Sequence, residues 1–270
     1  MPELPEVETT RRGLEPHLLG CKVNAVRVFN NKLRWPVTPG LSVLLNELTL
    51  LALERRGKYL LFRFSGGSLL VHLGMSGSLR LVDNSEPLKK HDHVEVTFDR
   101  FVMRFNDPRR FGAVLWVEGD PSVHKLLASL GPEPLSEHFS GDYLFELSRK
   151  RTLPVKSFLM DSRVVVGVGN IYANEALFAT GIHPLKPAGK ITRKRYTLLA
   201  EAVVTVLCNA IGSGGSTLRD FVNPQGKPGY FQQTLKVYGR AGLPCVVCGR
   251  LLKDVRVAQR TSVFCPSCQK

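Results

Sequence analysis

Four cysteines near the C-terminus have the spacing of a metal site. Cys245 and Cys248 form one CxxC pair, Cys265 and Cys268 form a second, and 16 residues separate the pairs. Four thiolates complete the tetrahedral shell of a zinc ion, which is then structural because no ligand position stays open. Redox dithiols and disulfides are the alternatives, and the lack of a secretion signal favours zinc. A module of about 30 residues has too little core to fold alone, so the metal is expected to supply folding free energy.

The first residues could carry a nucleophile. Pro2 follows Met1 and is small enough for Met1 to be removed, which would leave a secondary amine beside Glu3. About a tenth of such an amine is neutral at pH 7. Its attack on a sugar aldehyde carbon gives an iminium that keeps its positive charge and acidifies the C2′ hydrogen, and Glu3 could donate or relay protons. Proline and acidic residues are also common in the first turn of helices that have no chemical role, so this start alone identifies no function.

The charge of the chain favours a polyanionic partner. Lys and Arg exceed Asp and Glu by 14 over 270 residues, and residues 186–270 hold 14 basic against 3 acidic residues, a net +11. Nucleic acid is the commonest such partner, and a solvated basic surface is the alternative. The chain is 43% hydrophobic, which predicts folded cores. We find neither an apolar run near the roughly 18 residues of a membrane helix nor the order of a signal peptide, so membrane and secretory proteins are not expected.

The elements that must position these residues change along the chain. Residues 3–18 read as a helix, residues 21–117 read as an antiparallel sandwich or barrel, and residues 135–211 read as helical. The clearest helix covers 193–211, with Thr192 as its cap and Gly212 at its end. Five strands are expected, at Val23–Phe29, Tyr59–Phe64, Ser68–Leu73, Val94–Phe98 and Ala113–Val117.

Eight sequence strings carry a resemblance to a known family. They are PELPEVET at the start, RRGKYL around Lys58, HLGMSGSLR at 72–80, KHDHV at 90–94, DPRRFG at 107–112, GVGNIYANEALF at 167–178, GKPGYF at 226–231, and AQR at 258–260 between the CxxC pairs. Together they resemble bacterial formamidopyrimidine-DNA glycosylases, which excise oxidised purines, from Pro2 to Lys270. The related endonuclease VIII family shares the fold but typically starts PEGPE, so Leu4 favours the purine-lesion branch.

The resemblance implies a multidomain α+β fold. An N-terminal β-sandwich catalytic domain with a leading helix would cover 1–131, a helical helix-two-turns-helix DNA-binding domain 132–222, and the end of a lesion loop with a four-cysteine zinc-finger β-hairpin 223–270. It also implies one structural Zn²⁺ and no organic cofactor. The implied partner is damaged double-stranded DNA, bound by a monomer in the bacterial cytoplasm, associated with the nucleoid when on DNA.

The resemblance also implies four catalytic residues. Pro2 would displace the damaged base and form a Schiff base at C1′, with Glu3 as acid and base at the sugar. Lys58 would assist β-elimination, and Arg260 would contact phosphate and assist δ-elimination. From the residues alone, Lys58 is an ordinary strand-end lysine and Arg260 a phosphate contact.

Chemistry on a stacked base requires the nucleotide to be flipped out, and the vacated space must be filled. The resemblance assigns this filling to a flexible apolar plug, a planar cation able to hydrogen-bond the orphaned cytosine, and an aromatic wedge: Met75, Arg109 and Phe111. Burial statistics alone would place Met75 and Phe111 in a core, whereas Gly74, Gly77 and Pro108 favour exposed loops.

Further DNA contacts and a closing loop are implied in the same way. The implied DNA contacts are His91, Arg109, Arg151, Asn170 and Lys156. A loop from Thr217 to Tyr230 would close over the extruded base, and within it Arg219 stands where the family has lysine, which keeps the charge but alters its contact geometry. Two alternatives stay open: a non-catalytic zinc-finger DNA-binding protein, which would not need Pro2, Glu3 or Lys58, and an endonuclease VIII-like pyrimidine glycosylase with a different pocket.

Overall fold

The computed structural model describes residues 2–215 and 234–270. The chain divides into two compact units, the first built from residues 1–128 with 213–232 and the second from 129–212 with 233–270. The expected lesion-loop residues Thr217, Arg219 and Tyr230 lie outside the described residues. The three domain boundaries expected from the sequence stay a prediction.

The first unit is a β-sandwich with a helix at its start. Two four-stranded antiparallel sheets have the strand orders β1-β6-β7-β5 and β2-β3-β4-β8. The helices are α1 (Leu4–Leu18) and α2 (Leu41–Leu45). The strands are β1 (Val23–Val28), β2 (Ala52–Arg56), β3 (Tyr59–Phe64), β4 (Gly67–His72), β5 (Ser78–Val82), β6 (Asp92–Phe98), β7 (Val102–Asn106) and β8 (Ala113–Glu118).

One hydrophobic core lies between the two sheets of this unit. Phe62 of β3 and Phe98 of β6 come from different sheets, and Leu14 of α1 joins the same buried cluster. These side chains are at most 2% exposed. Because α1 contributes to this core, the start of the chain is fixed by packing against the sheets.

The second unit consists of helices and one β-hairpin. Its helices are α3 (Gly141–Ser148), α4 (Val155–Met160), α5 (Asn170–Ala179) and α6 (Arg193–Gly212), and its strands are β9 (Lys253–Val257) and β10 (Arg260–Phe264). The hairpin shares a small core with the helices, since Phe178 of α5 clusters with Leu252 and Val263. The zinc-site hairpin is therefore packed onto α5 and is not a free tail.

Helix α6 meets the length and hydropathy of a membrane-spanning helix, alone among the helices of residues 2–215 and 234–270. Its apolar residues form one face that packs against α3 and α5, with Leu199, Val203 and Leu207 buried. The other face is exposed and carries polar residues such as Glu201. The hydropathy of α6 is therefore that of an amphipathic helix whose apolar face packs in a protein core.

The structure confirms the α+β class and the two long helices expected from the sequence. Arg195 N lies 3.4 Å from Thr192 Oγ1, as the expected cap of α6 requires. Of the expected strands, 59–64 is confirmed to the residue, and the other four are shifted by one or two residues at their ends. Strands β2, β5 and β7 were not expected.

Candidate functional site

The N-terminus lies at the start of α1. Pro2 is buried, and Glu3 is 1% exposed. The backbone N–H of Glu3 donates to Glu6 Oε2 at 2.8 Å, which closes the first turn as a capping box. The chain passes this helix start again at Gly215, where a Cβ would lie 3.3 Å from Glu6 Oε1. Two expected catalytic residues are therefore held on an ordered helical turn.

A buried carboxylate ties α1 to the strand that precedes Lys58. Glu8 is 7% exposed and forms ion pairs with Arg11, Arg12 and Arg55 at 3.1, 2.8 and 3.0 Å. Burial opposes the charge of Glu8, but the three guanidinium groups outweigh it and lower the pKa of the carboxyl. Arg55 also donates to Gly57 O at 3.1 Å. One guanidinium thus links α1, which Glu3 caps, to the turn that carries Lys58.

His72 is a functional candidate that the sequence analysis missed. It ends β4 and pairs with Tyr59, the residue after Lys58, and the two rings lie 4.8 Å apart. Its Nδ1 accepts from Gly74 N at 3.0 Å. Burial, with added repulsion from Lys58 and Arg34, lowers the pKa of His72 to about 4. The ring is therefore neutral at pH 7 and offers an Nε2–H donor beside Lys58. Its position at a strand end before a glycine-rich loop was the available signal.

The three residues expected to fill the DNA void lie on two neighbouring loops. Met75 is 36% exposed and Phe111 is 42% exposed, as the flanking glycines and proline lead one to expect. The guanidinium carbon of Arg109 lies 5.1 Å from the centre of the Phe111 ring. The structure thus places Arg109 against Phe111 and leaves Met75 exposed on the adjoining loop, instead of in the core.

His91 and Arg151 lie in connecting segments, one in each unit. His91 precedes β6 and has a left-handed backbone with φ of 74°. Its carbonyl accepts from Asp107 N at 3.1 Å, which attaches it to the segment that carries Arg109. Arg151 follows α3 and is exposed. Both positions can reach a ligand in solution.

Lys156 is buried in this structure, and its expected role as a DNA contact stays a prediction. Its side chain is 0% exposed. The ammonium donates to Asn170 Oδ1 at 2.6 Å, to Thr261 O at 3.1 Å and to Ser262 Oγ at 2.6 Å. Lys156 therefore joins the first residue of α5 to strand β10 directly after Arg260. It thereby supports the position of Asn170 and of the two residues that follow Arg260.

Helix α5 holds the hairpin at two further points. Asn174 Oδ1 accepts from Val263 N at 3.0 Å. The carboxylate of Glu175, 5% exposed, accepts from three successive backbone N–H groups, those of Lys236, Val237 and Tyr238, at 2.9 to 3.0 Å. The sequence gives no signal for Glu175, because only the fold shows that α5 meets residues 236–238.

The four expected metal ligands lie together. The sulfur atoms of Cys245, Cys248, Cys265 and Cys268 are all within 4.8 Å of one another, and those of Cys248 and Cys265 are 3.5 Å apart. All four are free cysteines, and the separations suit sulfurs about 2.3 Å from a central ion. Hydrogen bonding to Cys248, burial and the other thiols raise the pKa of Cys268 to about 12. Four sulfurs this close together can all bind as thiolates only with a cation between them, and zinc fits the donor set.

Arg260 stands at the tip of the β9–β10 hairpin. It is exposed and pairs with Val257 across a two-residue turn. The turn residues Ala258 and Gln259 both have left-handed backbones, with φ of 44° and 62°, as a type I′ turn requires. The tip thus presents Arg260 to solvent, while the zinc cysteines hold the base of the hairpin.

Comparison with protein-family models covers most of the chain. Residues 1–114 match the formamidopyrimidine-DNA glycosylase N-terminal domain, and residues 130–222 match the formamidopyrimidine-DNA glycosylase H2TH domain. Residues 242–270 match a zinc finger found in FPG and IleRS.

Individual proteins match over their full lengths. The formamidopyrimidine-DNA glycosylase of Stutzerimonas stutzeri is 58% identical, with 100% of both chains covered. The Lactococcus lactis FPG mutant G226P, solved in complex with a Fapy-dG containing DNA, is 34% identical with a TM-score of 0.93 and full coverage of both chains. MutM solved in complex with carbocyclic 8-oxo-G containing DNA is 35% identical with a TM-score of 0.92, again with both chains fully covered.

Proposed function

The chain belongs to the formamidopyrimidine-DNA glycosylase family and is a DNA glycosylase of base excision repair, and from this premise we propose how its own residues act. Its substrate is duplex DNA that carries an oxidised purine, such as 8-oxoguanine or a formamidopyrimidine. The two relatives solved with Fapy-dG and carbocyclic 8-oxo-G DNA support this lesion class. The four cysteines hold one structural zinc and take no part in the reaction.

Base removal uses the amine of Pro2. The nitrogen attacks C1′ of the extruded nucleotide, and the glycosidic bond breaks with its electron pair leaving on the base, which takes up a proton. The sugar ring then opens when O4′ accepts a proton, and Glu3, buried next to Pro2, is placed to supply it. The product is an iminium between Pro2 and C1′.

Strand cleavage follows from the positive charge of that iminium. Loss of the C2′ proton allows the C3′–O bond to break, and a second elimination breaks the C5′–O bond. Lys58 assists the first elimination and Arg260 the second, each from a position that can contact phosphate. His72, neutral and adjacent to the turn of Lys58, adds an N–H donor for the same stretch of backbone.

The observation that carries this proposal is a series of polar contacts that connects α1 to the turn of Lys58. Glu8 fixes α1 to Arg55, and Arg55 binds the carbonyl of Gly57. Because the amine and the lysine rest on one buried network, both can be held near a single sugar. Preorganisation of this kind accounts for a large part of catalytic rate enhancement.

Borohydride trapping tests the proposal. The processed protein is mixed with a duplex that carries 8-oxoguanine opposite cytosine, with an undamaged duplex beside it, and the adduct is mapped by peptide mass. We expect an adduct on the damaged strand only, at Pro2. The matched control carries one glycine inserted before Pro2, which moves the amine by one residue, and it should trap at least 100-fold less, since misplacement by about 1 Å can cost that much.

Three outcomes would contradict parts of the proposal. Full activity in a protein whose mass still includes Met1 would exclude the amine mechanism. Tight binding by a protein with a free Pro2 and no adduct would favour a non-catalytic zinc-finger DNA-binding protein. An adduct with oxidised pyrimidines alone would favour endonuclease VIII-like specificity.

The same proposal covers where and how the protein works. It acts as a monomer on DNA in the bacterial cytoplasm and is associated with the nucleoid while bound. Light scattering of the protein with and without a lesion duplex checks this, since a 1:1 complex is expected at every protein concentration.

A further inference from the structure

Asp107 is a fully buried carboxylate between the two loops that carry the void-filling residues. We call residues 73–77, between β4 and β5, the Met75 loop, and residues 107–112, between β7 and β8, the Arg109 loop. Asp107 is 0% exposed. Neither the zinc site nor the amine chemistry uses it, and a buried carboxylate is costly to keep unless its partners satisfy it.

The carboxylate of Asp107 binds both loops at once. Oδ2 accepts from Gly112 N at 2.8 Å, and Oδ1 accepts from Arg109 N at 3.2 Å, so one side chain fastens both ends of the segment that carries Arg109 and Phe111. Oδ1 also accepts from Ser76 Oγ at 2.8 Å. Ser76 directly follows Met75 and is 5% exposed. All three hydrogen bonds are made to an acceptor that water does not reach, which strengthens them.

The backbone of Asp107 is itself attached to the sheet. Its carbonyl accepts from His93 Nε2 at 2.8 Å, and its N–H donates to the carbonyl of His91 at 3.1 Å. His93 lies in β6 and is 4% exposed. The carboxylate therefore stands on a fixed support, and the loops are held relative to the sandwich as well as to each other.

The two loops also touch directly. Gly74 has a φ of +65°, and a Cβ there would lie 2.6 Å from Gly112 N and from Phe111 C. No side chain fits in that space, so the backbones pack at the closest approach that glycine permits. The loops can therefore move as one body as long as the carboxylate bonds hold.

We propose that Asp107 is a positioning residue that makes Met75, Arg109 and Phe111 enter the duplex as one rigid unit. The proposal rests on the proposed function, since it assigns to Asp107 a part in filling the space of an extruded nucleotide. Without the carboxylate, each of the three side chains would have to find its place in the duplex separately. Loss of the Asp107 carboxylate should therefore slow excision from duplexes, in which a void must be filled, and should weaken discrimination of the base opposite the lesion.

The test compares substrates that do and do not need a void to be filled. Asp107→Ala, Asp107→Asn and Ser76→Ala are measured in single turnover on 8-oxoguanine opposite cytosine and opposite adenine. A single-stranded oligonucleotide with an abasic site is the third substrate, because it has no partner strand and needs only the amine chemistry. Asp99→Asn is the matched control, because Asp99 also accepts a backbone N–H, that of Lys22 at 2.8 Å, but lies outside both loops.

The expected pattern is selective. Asp107→Ala should slow excision from the duplex opposite cytosine by about 100-fold, the scale of a misplacement near 1 Å. Asp107→Asn, which keeps one acceptor oxygen, and Ser76→Ala, which frees only the Met75 loop, should each slow it by about 10-fold. The preference for cytosine over adenine should fall toward one, while borohydride trapping on the single strand and all rates of Asp99→Asn should stay within about twofold of the unaltered protein.

Several results would overturn the inference. Equal rates for Asp107→Asn and the unaltered protein on the duplex would do so. An equal loss on all three substrates would mean that Asp107 supports only the general fold, and an unchanged cytosine preference would mean that Arg109 does not depend on it. If Asp107→Ala does not fold, the Asn and Ser76→Ala variants decide. Failure of the unaltered protein to form an adduct would instead refute the proposed function.

Discussion

Replacing Lys156 by methionine removes a buried ammonium but keeps the length and most of the volume of the side chain. The change leaves Ser262 Oγ without its donor in a buried place, and it removes a donor from Asn170 Oδ1 and Thr261 O, which are only partly buried. A buried acceptor without a donor costs about 1 kcal/mol at the low end of measured values, and the two acceptors that water can reach cost less, so the contact between α5 and β10 should weaken by about 1.5 kcal/mol. At about 1.4 kcal/mol per tenfold, this is on the order of 10-fold in an equilibrium constant.

Two readouts separate the units of the protein in this experiment. Both tryptophans, Trp35 and Trp116, lie in the first unit, so tryptophan fluorescence in urea reports the sandwich. Zinc release to a chromophoric chelator reports the hairpin of the second unit. For Lys156→Met without DNA we expect faster zinc release at lower urea and an unchanged tryptophan transition. Lys253→Met, a change at an exposed lysine of the same hairpin, should alter neither.

The DNA affinity of Lys156→Met shows whether the weakened contact between α5 and β10 affects function. Affinity for a duplex with an uncleavable abasic analogue should fall by about 10-fold for Lys156→Met at fixed salt, because Asn170 and the two residues that follow Arg260 lose a shared support. Zinc release and urea stability equal to or better than those of the unaltered protein would refute the reasoning, since burial of an apolar chain would then have replaced the ammonium without loss. A weaker affinity combined with unchanged stability would support the predicted direct contact of Lys156 with DNA.

Three further predictions address other parts of the protein. Cys248→Ser should lose the zinc, measured by metal analysis, and bind DNA more weakly, with an unchanged tryptophan transition; full zinc content would contradict the site. Because the pKa of His72 is lowered to about 4 from about 6.5 in an unfolded chain, the free energy of unfolding should fall as the pH drops from 6.5 to 4, and His72→Gln should flatten that slope in urea titrations. Glu8→Gln should cost about 2 kcal/mol in urea unfolding, because three guanidinium groups lose their counter-charge, whereas Glu47→Gln, at an exposed ion pair, should cost under about 0.5 kcal/mol.

Local patterns predicted much of the fold. Tyr59–Phe64 and α6 follow from runs of apolar residues with strand or helix periodicity, and glycines marked the loop of Met75 as exposed. Strands β5 and β7 escaped because Arg80 and Arg104 interrupt their apolar pattern. In the structure Arg104 of β7 pairs with Glu95 on the neighbouring β6 at 2.8 Å, and Arg80 of β5 reaches Asp92 of β6, two strands away, at 2.7 Å. Such pairing depends on register, which a single sequence does not reveal.

The residues of the candidate site also differ in whether a local sequence pattern or only the tertiary structure reveals them. The zinc cysteines could be predicted because ligand spacing is local, and the resemblance supplied residues such as Pro2 and Lys58. The burial of Lys156 could not be predicted, because a lysine in a basic segment predicts exposure and only the tertiary structure shows three acceptors around it. Asp107 and Glu175 were missed for a related reason, since each acts through backbone groups that are distant in sequence or hidden in a loop.

The turn at the tip of the zinc hairpin has a consequence for how this sequence can change. Ala258 and Gln259 occupy left-handed conformations that cost roughly 1 kcal/mol for each residue that is not glycine or asparagine. Asn-Gly is the pair that this turn type prefers. A population of variants selected only for stability at high temperature should therefore acquire substitutions at these two positions early. A selection that also requires DNA repair should retain Ala258 and Gln259 if the tip contacts DNA.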